Sequence, residues 1–208
     1  MISKQSILDF EKPYRTHFVN SLAGYKQPVL ISSMSAQKKV NLAIFNSLIH
    51  IGAHPPLFGI LFRPSFVERH TLTNISEMDY FGLNYMDENY IKSMHQTSAR
   101  YPEDVNEFNA CGFHEEWIED MPIPFVREAQ IKVLMKREEE IIIQSNQTHL
   151  IIASIEQVIV DESKISPDGF IQFDALQIVA SQGLDTYCEV KKIDRFSYAK
   201  VDREITSI

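Results

Sequence analysis

No stretch of this chain stays apolar for the roughly 20 residues that a bilayer-spanning helix needs. Its first residues, Met1-Ile-Ser-Lys-Gln-Ser, lack the charged segment and apolar core of a secretory signal. Cysteine is scarce: Cys111 and Cys188 lie far apart and form no CxxC pair. That removes a dithiol redox motif and a cysteine zinc site, and makes a reduced, cytoplasmic setting the expectation. Positive charge is also short. Lys and Arg number 20 against 28 Asp and Glu, a formal net charge of −8. Such a balance argues against nucleic acid or an anionic membrane as the main partner. The seven histidines include no HExxH. His50 and His54 are four apart, but Gly52 and Pro55 make a regular helix there unexpected, so no metal site is expected. The nucleophile elbow, the Walker loop and GxGxxG are all missing. So are internal repeats, low-complexity segments and any linker that would divide the chain.

What is present suits a globular core. The apolar fraction is 44% and the charged fraction 23%, which is enough for one domain spanning 1–208. Many strands with few, short helices point to a mainly β fold, an antiparallel barrel with helical additions. Ser6 is placed to cap a short helix over Ile7–Lys12 that Pro13 ends, and Arg15–Leu22 forms more helix stopped by Gly24. Strands are expected at Val29–Ser33, Asn41–His50, Leu57–Phe62 and Asp79–Met86, with a loop at 65–68 and a short helix at Thr71–Ser76. One helix is expected over Asn89–Tyr101 and a short acidic one over Glu103–Phe108. Ala129–Ile143 alternates but carries helix formers; a strand broken around Arg137–Glu139 is expected. Leu150–Asp161 alternates cleanly and is the plainest strand of the chain. Phe170–Phe173 reads as a strand, Asp174–Ala180 as a turn of helix, and Thr186–Val201 as strand.

The stretch Asn41–Thr71 concentrates the chemistry. Two core segments end in Arg63-Pro64-Ser65 and Arg69-His70-Thr71, delivering hydroxyl, amide and cationic groups to apolar walls. That suits a flat, anionic ligand. Two ordinary strands with polar turns would read the same way.

Several pieces of sequence occur in a telling order. They are Asn41-Leu-Ala-x-Phe-Asn-Ser, Pro55-Pro56-Leu57, Arg63-Pro64, Arg69-His70-Thr71-x-x-Asn74-Ile75, His95-Gln-Thr-Ser-Ala99 with Glu107-Phe108, and Gly183-Leu-Asp-Thr-Tyr187. This ordered set resembles the flavin-reductase-like, FMN-binding split-barrel family, from about Tyr14 to Ala199. The resemblance implies a split β-barrel and a homodimer with flavin sites near the subunit interface. It also implies a non-covalently bound FMN reduced by NAD(P)H. Asn46 and Ser47, with Arg63, Arg69, His70 and Thr71, would reach the phosphate and ribityl chain. Where this chain has Arg69-His70-Thr71, the family more often shows a lysine-aspartate-threonine type of sequence. Ala43, Phe45 and the backbone around Leu61-Phe62 would flank the ring. His95 and Ser98, at i and i+3 of one helix, would bond the ring or guide the nicotinamide. No side chain is needed as nucleophile or general base. Two rival readings stay open: an FMN electron carrier or redox sensor serving a partner protein, and a barrel that has lost its flavin. Lys26, Cys111, Trp117 and Glu138–Glu140 have plainer readings as a solvated lysine, a buried thiol, a packing residue and a solvated face.

Overall fold

A computed structural model describes residues 1–64 and 69–208; the loop expected at 65–68 lies outside the described residues. The chain opens with α1 (Lys4–Asp9) and α2 (Lys12–Leu22). Ser3, not Ser6, caps α1, its hydroxyl accepting from the Ser6 amide at 3.1 Å. Pro13 does not end that helix. It sits in the first turn of α2, where a missing N–H costs nothing. Strands β1 (Tyr25–Lys26), β2 (Val29–Met34), β3 (Val40–Phe45), β4 (Leu48–Ala53) and β5 (Pro56–Phe62) follow. The segment expected as one strand from Asn41 to His50 is thus broken at Asn46-Ser47. Pro56 does not sit outside the ladder; it opens β5 opposite Ala53, a strand-start position that proline tolerates.

Next come α3 (His70–Met78), β6 (Tyr80–Tyr85), α4 (Ile91–Gln96) and α5 (Glu107–Ala110). The helix expected over Asn89–Tyr101 is shorter, because the Thr97 hydroxyl turns back onto the Met94 carbonyl at 2.8 Å and the chain continues in turns. Asn106 caps α5, so that helix starts later than expected. Two short strands, β7 (Glu115–Glu116) and β8 (Phe125–Val126), pair with each other. The long ribbon of β9 (Ile131–Ile143) and β10 (Thr148–Val160) follows. The break expected in β9 is a bulge: Arg137 and Glu139 face consecutive residues of β10, leaving Glu138 as the extra residue. Only an isolated bridge, Ile165 to Ile171, marks the strand expected at Phe170–Phe173, and Asp174–Gln177 is turn, not helix. The chain finishes with β11 (Ala180–Gln182) and β12 (Thr186–Cys188), after which the strand expected through Val201 gives way to irregular chain.

Seven strands form one antiparallel sheet in the order β3-β2-β6-β9-β10-β5-β4. Its two edges, β3 and β4, are joined by only Asn46 and Ser47. A chain spans at most about 3.6 Å per residue, so the sheet must roll until its edges meet. The ladder does not close there, which makes this a split barrel. The Ser47 hydroxyl donates to the Leu61 carbonyl at 2.8 Å and ties the junction to β5.

Inward residues of alternate strand positions fill the barrel: Val29, Ile31, Phe81, Leu83, Val133, Met135 and Ile151, all buried. The outer face of β2 is covered as well. Leu30 packs with Met86, Met94, Phe108 and Phe113, most of them from the helical excursion after β6. That is why β2 is buried at every position and shows no alternation. Gly82 lies at the crowded crossing, where a Cβ would run into the Ser32 hydroxyl and the Phe125 ring.

Candidate functional site

The split is where the fold leaves room. A cavity of about 790 Å³ lies along β3, between the barrel edge, the start of α3, the chain after α4 and the loop before β12. This volume falls within the range of small-molecule sites, roughly 300–1,000 Å³. All eleven residues singled out from the sequence line it: Ala43, Phe45, Asn46, Ser47, Phe62, Arg63, Arg69, His70, Thr71, His95 and Ser98. Strand β3 supplies the apolar wall, with the Phe45 and Phe62 rings 4.8 Å apart between centroids. The Asn46 side-chain amide donates to the Gly183 carbonyl at 2.8 Å, fastening the β3–β4 junction to the loop before β12. Gly183 holds φ at 67°, in the left-handed region that glycine favours. The Ser47 hydroxyl hydrogen is spent on Leu61, so toward a ligand this residue offers acceptor capacity.

One end of the cavity is strongly basic. Arg63, Arg69 and Arg100 converge on it. Burial, then the charges of Arg63 and Arg100, pull the Arg69 pKa below its ordinary value. The Arg69 Nε is buried and has no hydrogen-bond partner among the described residues. Buried donors are rarely left unpaired, and three mutually repelling guanidiniums ask for an anion. Arg69 is also the N-cap of α3 without a side-chain cap, so the first-turn amides of that helix lack one too. Oriented amides of this kind attract negative charge. Thr71 is buried beside them and accepts from Asn41 Nδ2 at 2.9 Å, which leaves its own proton to donate. Asn74 Nδ2 donates to Ser33 Oγ at 3.1 Å, anchoring α3 to β2. Behind β3, the buried Glu107 carboxylate accepts from the Leu42 amide at 3.3 Å. Burial pushes its pKa up, against the lowering effect of its backbone bonds and of His70.

The opposite end is aromatic. His95 Nδ1 and the Tyr187 hydroxyl are 3.2 Å apart, their rings nearly perpendicular. Burial, then the nearby Asp185, pushes Tyr187 up to about 12, so it stays a neutral hydroxyl at ordinary pH. Ser98 does not share a helical face with His95, because α4 ends at Gln96; it reaches the cavity from the turn that follows. Sequence reasoning left out Arg100, Glu107, Asp185 and Tyr187 as site residues and took Lys26 as solvated, yet all five line the cavity. Arg100 carried the clearest available signal, a cation directly after the His95–Ala99 segment. Among the described residues no group of His, Cys, Asp or Glu is arranged to hold a metal ion, and no helix is long and apolar enough to cross a membrane.

The residues therefore fit a flat ligand with an anionic tail: an apolar slot on β3, and at one end a buried donor among arginines that has no partner among the described residues. The sequence profile of the flavin reductase like domain matches residues 22–174, and the chain belongs to that family. A structure from Shewanella frigidimarina NCIMB 400, described as a flavin reductase with split barrel domain, has a TM-score of 0.92 at 39% identity and covers 96% of this chain and 99% of its own. The 2-nitrobenzoate 2-nitroreductase of Pseudomonas fluorescens shares the fold, with a TM-score of 0.81 at 20% identity and 98% of each chain covered. So does an FMN-binding protein from Thermus thermophilus, with a TM-score of 0.65 at 15% identity over 79% of this chain and 86% of that one. No curated protein matches by sequence.

Proposed function

We propose that this member of the flavin reductase like family is an NAD(P)H-dependent flavin oxidoreductase that binds FMN in the β3 cavity, as a single domain and a homodimer. The observation that carries the FMN assignment is the buried Arg69 Nε, without a partner among the described residues and flanked by Arg63 and Arg100. A phosphate monoester there satisfies that donor and neutralises the repulsion among the three arginines. Thr71 donates its hydroxyl to the same group, and the first-turn amides of α3 add partial positive charge. Ala43, Phe45 and Phe62 form the apolar slot for the ring, and Asn46 fixes the loop before β12. The His95–Tyr187 pair bounds the side from which a nicotinamide enters, and with one hydrogen shared between the two rings the pair has one left to offer.

A bound flavin supplies the hydride-accepting chemistry. The chain supplies position, charge and exclusion of water. The visible spectrum of the purified protein, before and after anaerobic NADH or NADPH, tests the reading. A flavin spectrum that bleaches with one donor supports it and identifies that donor. A flavin that stays oxidised with both points to a carrier or sensor that needs a redox partner. A colourless protein that takes up no added FMN overturns the assignment.

A further inference from the structure

Helices α1 and α2 stand beside the cavity without being packed into the barrel. Neither contains a buried residue, and Leu8, Tyr14, Val19 and Leu22 are well exposed. The pair is tied mainly to itself. Arg15 Nη1 donates to the Leu8 and Phe10 carbonyls at 2.8 and 3.0 Å, and the Phe10 ring meets Tyr14 and Phe18 edge-on, 4.7 and 5.4 Å between centroids. These contacts join the two helices into one body. Toward the rest of the chain, its polar contacts among the described residues reduce to His17 Nδ1 facing Asp185 Oδ2 at 4.0 Å, both well exposed. His17 and Asn20, at i and i+3 of α2, belong to the cavity wall.

The joint to the barrel is equally distinct. Helix α2 ends at Leu22, and two residues later Gly24 holds φ at 72°. A Cβ there would meet nothing within 4 Å, so the backbone turns in open space. The next residues, Tyr25 and Lys26, are already paired with Gln182 and Ser181. A self-contained body thus meets a fixed strand through one unencumbered glycine, which is the arrangement of a hinge. Elements that move on binding are drawn from parts with few buried apolar contacts, as α1 and α2 are. We propose that these two helices form a lid that turns at Gly24 and is latched over the aromatic end of the cavity by His17 and Asp185. Asp185 lies two residues before Tyr187, so opening the latch uncovers the His95–Tyr187 side and leaves the arginine end undisturbed. The lid follows from the helices and their hinge, whatever ligand fills the cavity.

Two measurements on the full chain test the lid. Nitroxide labels at Leu8→Cys and Ile51→Cys, both exposed positions, report its place by pulsed electron spin resonance, in a Cys188→Ser background with Cys111 buried. Gly24→Ala adds no clash and penalises only the left-handed angle of the closed position, so it should raise the population of a longer distance about tenfold. His17→Ala should raise it about two- to fivefold, the worth of one exposed ion pair. The second measurement is the rate of FMN uptake by flavin-free protein. An ideal Cβ at Gly183 stands 4.0 Å from Ser21 Cβ, inside the disulfide range of about 3.5–4.5 Å. Ser21→Cys with Gly183→Cys should therefore take up FMN at least about tenfold more slowly when oxidised than after reduction; wild type under the same oxidant is the control. Gly24→Ala should speed uptake and release alike and keep affinity within about twofold, because a gate changes both rates together. One label distance that Gly24→Ala leaves unchanged, or an oxidised double variant as fast as the reduced one, overturns the lid. If the double variant does not fold, the Gly24→Ala distances and rates decide. If no form takes up FMN, the flavin reading falls and the label distances alone decide the lid.

Discussion

The β9–β10 ribbon and the β3–α3 corner are built on opposite rules. The ribbon pairs two strands of thirteen residues each, and Ile131, Val133, Met135, Ile151 and Ala153 enter the barrel core from it at alternate positions, while Ile141, Ile142, Val158 and Ile159 stay exposed. Among its residues only Thr148 touches the large cavity. The corner has strands half as long and buries polar groups: Ser33, Asn41, Thr71, Asn74 and Glu107. Each of these five takes part in a short-range hydrogen bond. Nearby, Arg69 Nε is buried with no such bond among the described residues. The difference teaches where stability and binding are separated in this molecule. The strands paired with the ribbon hold the barrel shut through apolar burial, while the corner carries a donor unsatisfied among the described residues and crowded positive charge, both of which an anionic ligand would relieve.

The sharpest way to break this division is a core truncation. Phe81, on β6 beside β9, is fully buried. Phe81→Ala should cost about 3–5 kcal/mol, a fall in melting temperature of roughly 6–20 °C for a chain of this size. Flavin affinity, measured well below the transition, should stay within about twofold. A large loss of affinity would mean that core and corner are one unit.

Arg69→Ala should do the reverse. Losing charge-assisted bonds to a phosphate costs about 1.5–3 kcal/mol, or roughly ten- to 150-fold in flavin affinity. The flavin-free protein should keep its melting temperature or gain slightly, because a buried donor without a partner among the described residues, and its repulsion by Arg63 and Arg100, are removed. A destabilised apo protein with unchanged flavin affinity would reassign Arg69 to the fold.

Glu107→Gln should give the smallest effect. Burial raises the carboxyl pKa, so the folded state holds this proton more tightly than the unfolded chain does. Stability from that source is complete below the unfolded value, about 4.3, and is lost as pH rises through the higher folded value. The variant keeps an oxygen for the Leu42 amide. It should therefore be more stable than wild type at neutral pH, by about 1 kcal/mol, and the advantage should vanish below about pH 4. A gap in melting temperature that does not change with pH would remove Glu107 from the electrostatic account of the corner.

The amino-acid order by itself determined the parts that obey a local period. Alternation marked β6 and β10 and most of β9, and short polar breaks marked the ends of β5 and the beginning of α3. A reason lies in the pleat: successive side chains of a strand point to opposite faces, so faces with different surroundings appear as alternation in the sequence even in β6, where both are buried. The ordered pieces from Asn41 to Thr71 also marked one wall of the cavity, because strand ends carry their functional groups in sequence.

Only the tertiary structure decided the rest. The split at Asn46-Ser47 depends on which strands become the sheet edges, a matter of long-range register. The break around Arg137–Glu139 was legible in the sequence, but that it is a bulge with Glu138 as the extra residue depends on how β9 pairs with β10. Arg100 joins Arg63 and Arg69, and Tyr187 meets His95, because α4, the chain after it and β12 fold back over β3. No period relates these residues. Their chemistry comes from distance and burial, and both are set by packing between segments far apart in the chain.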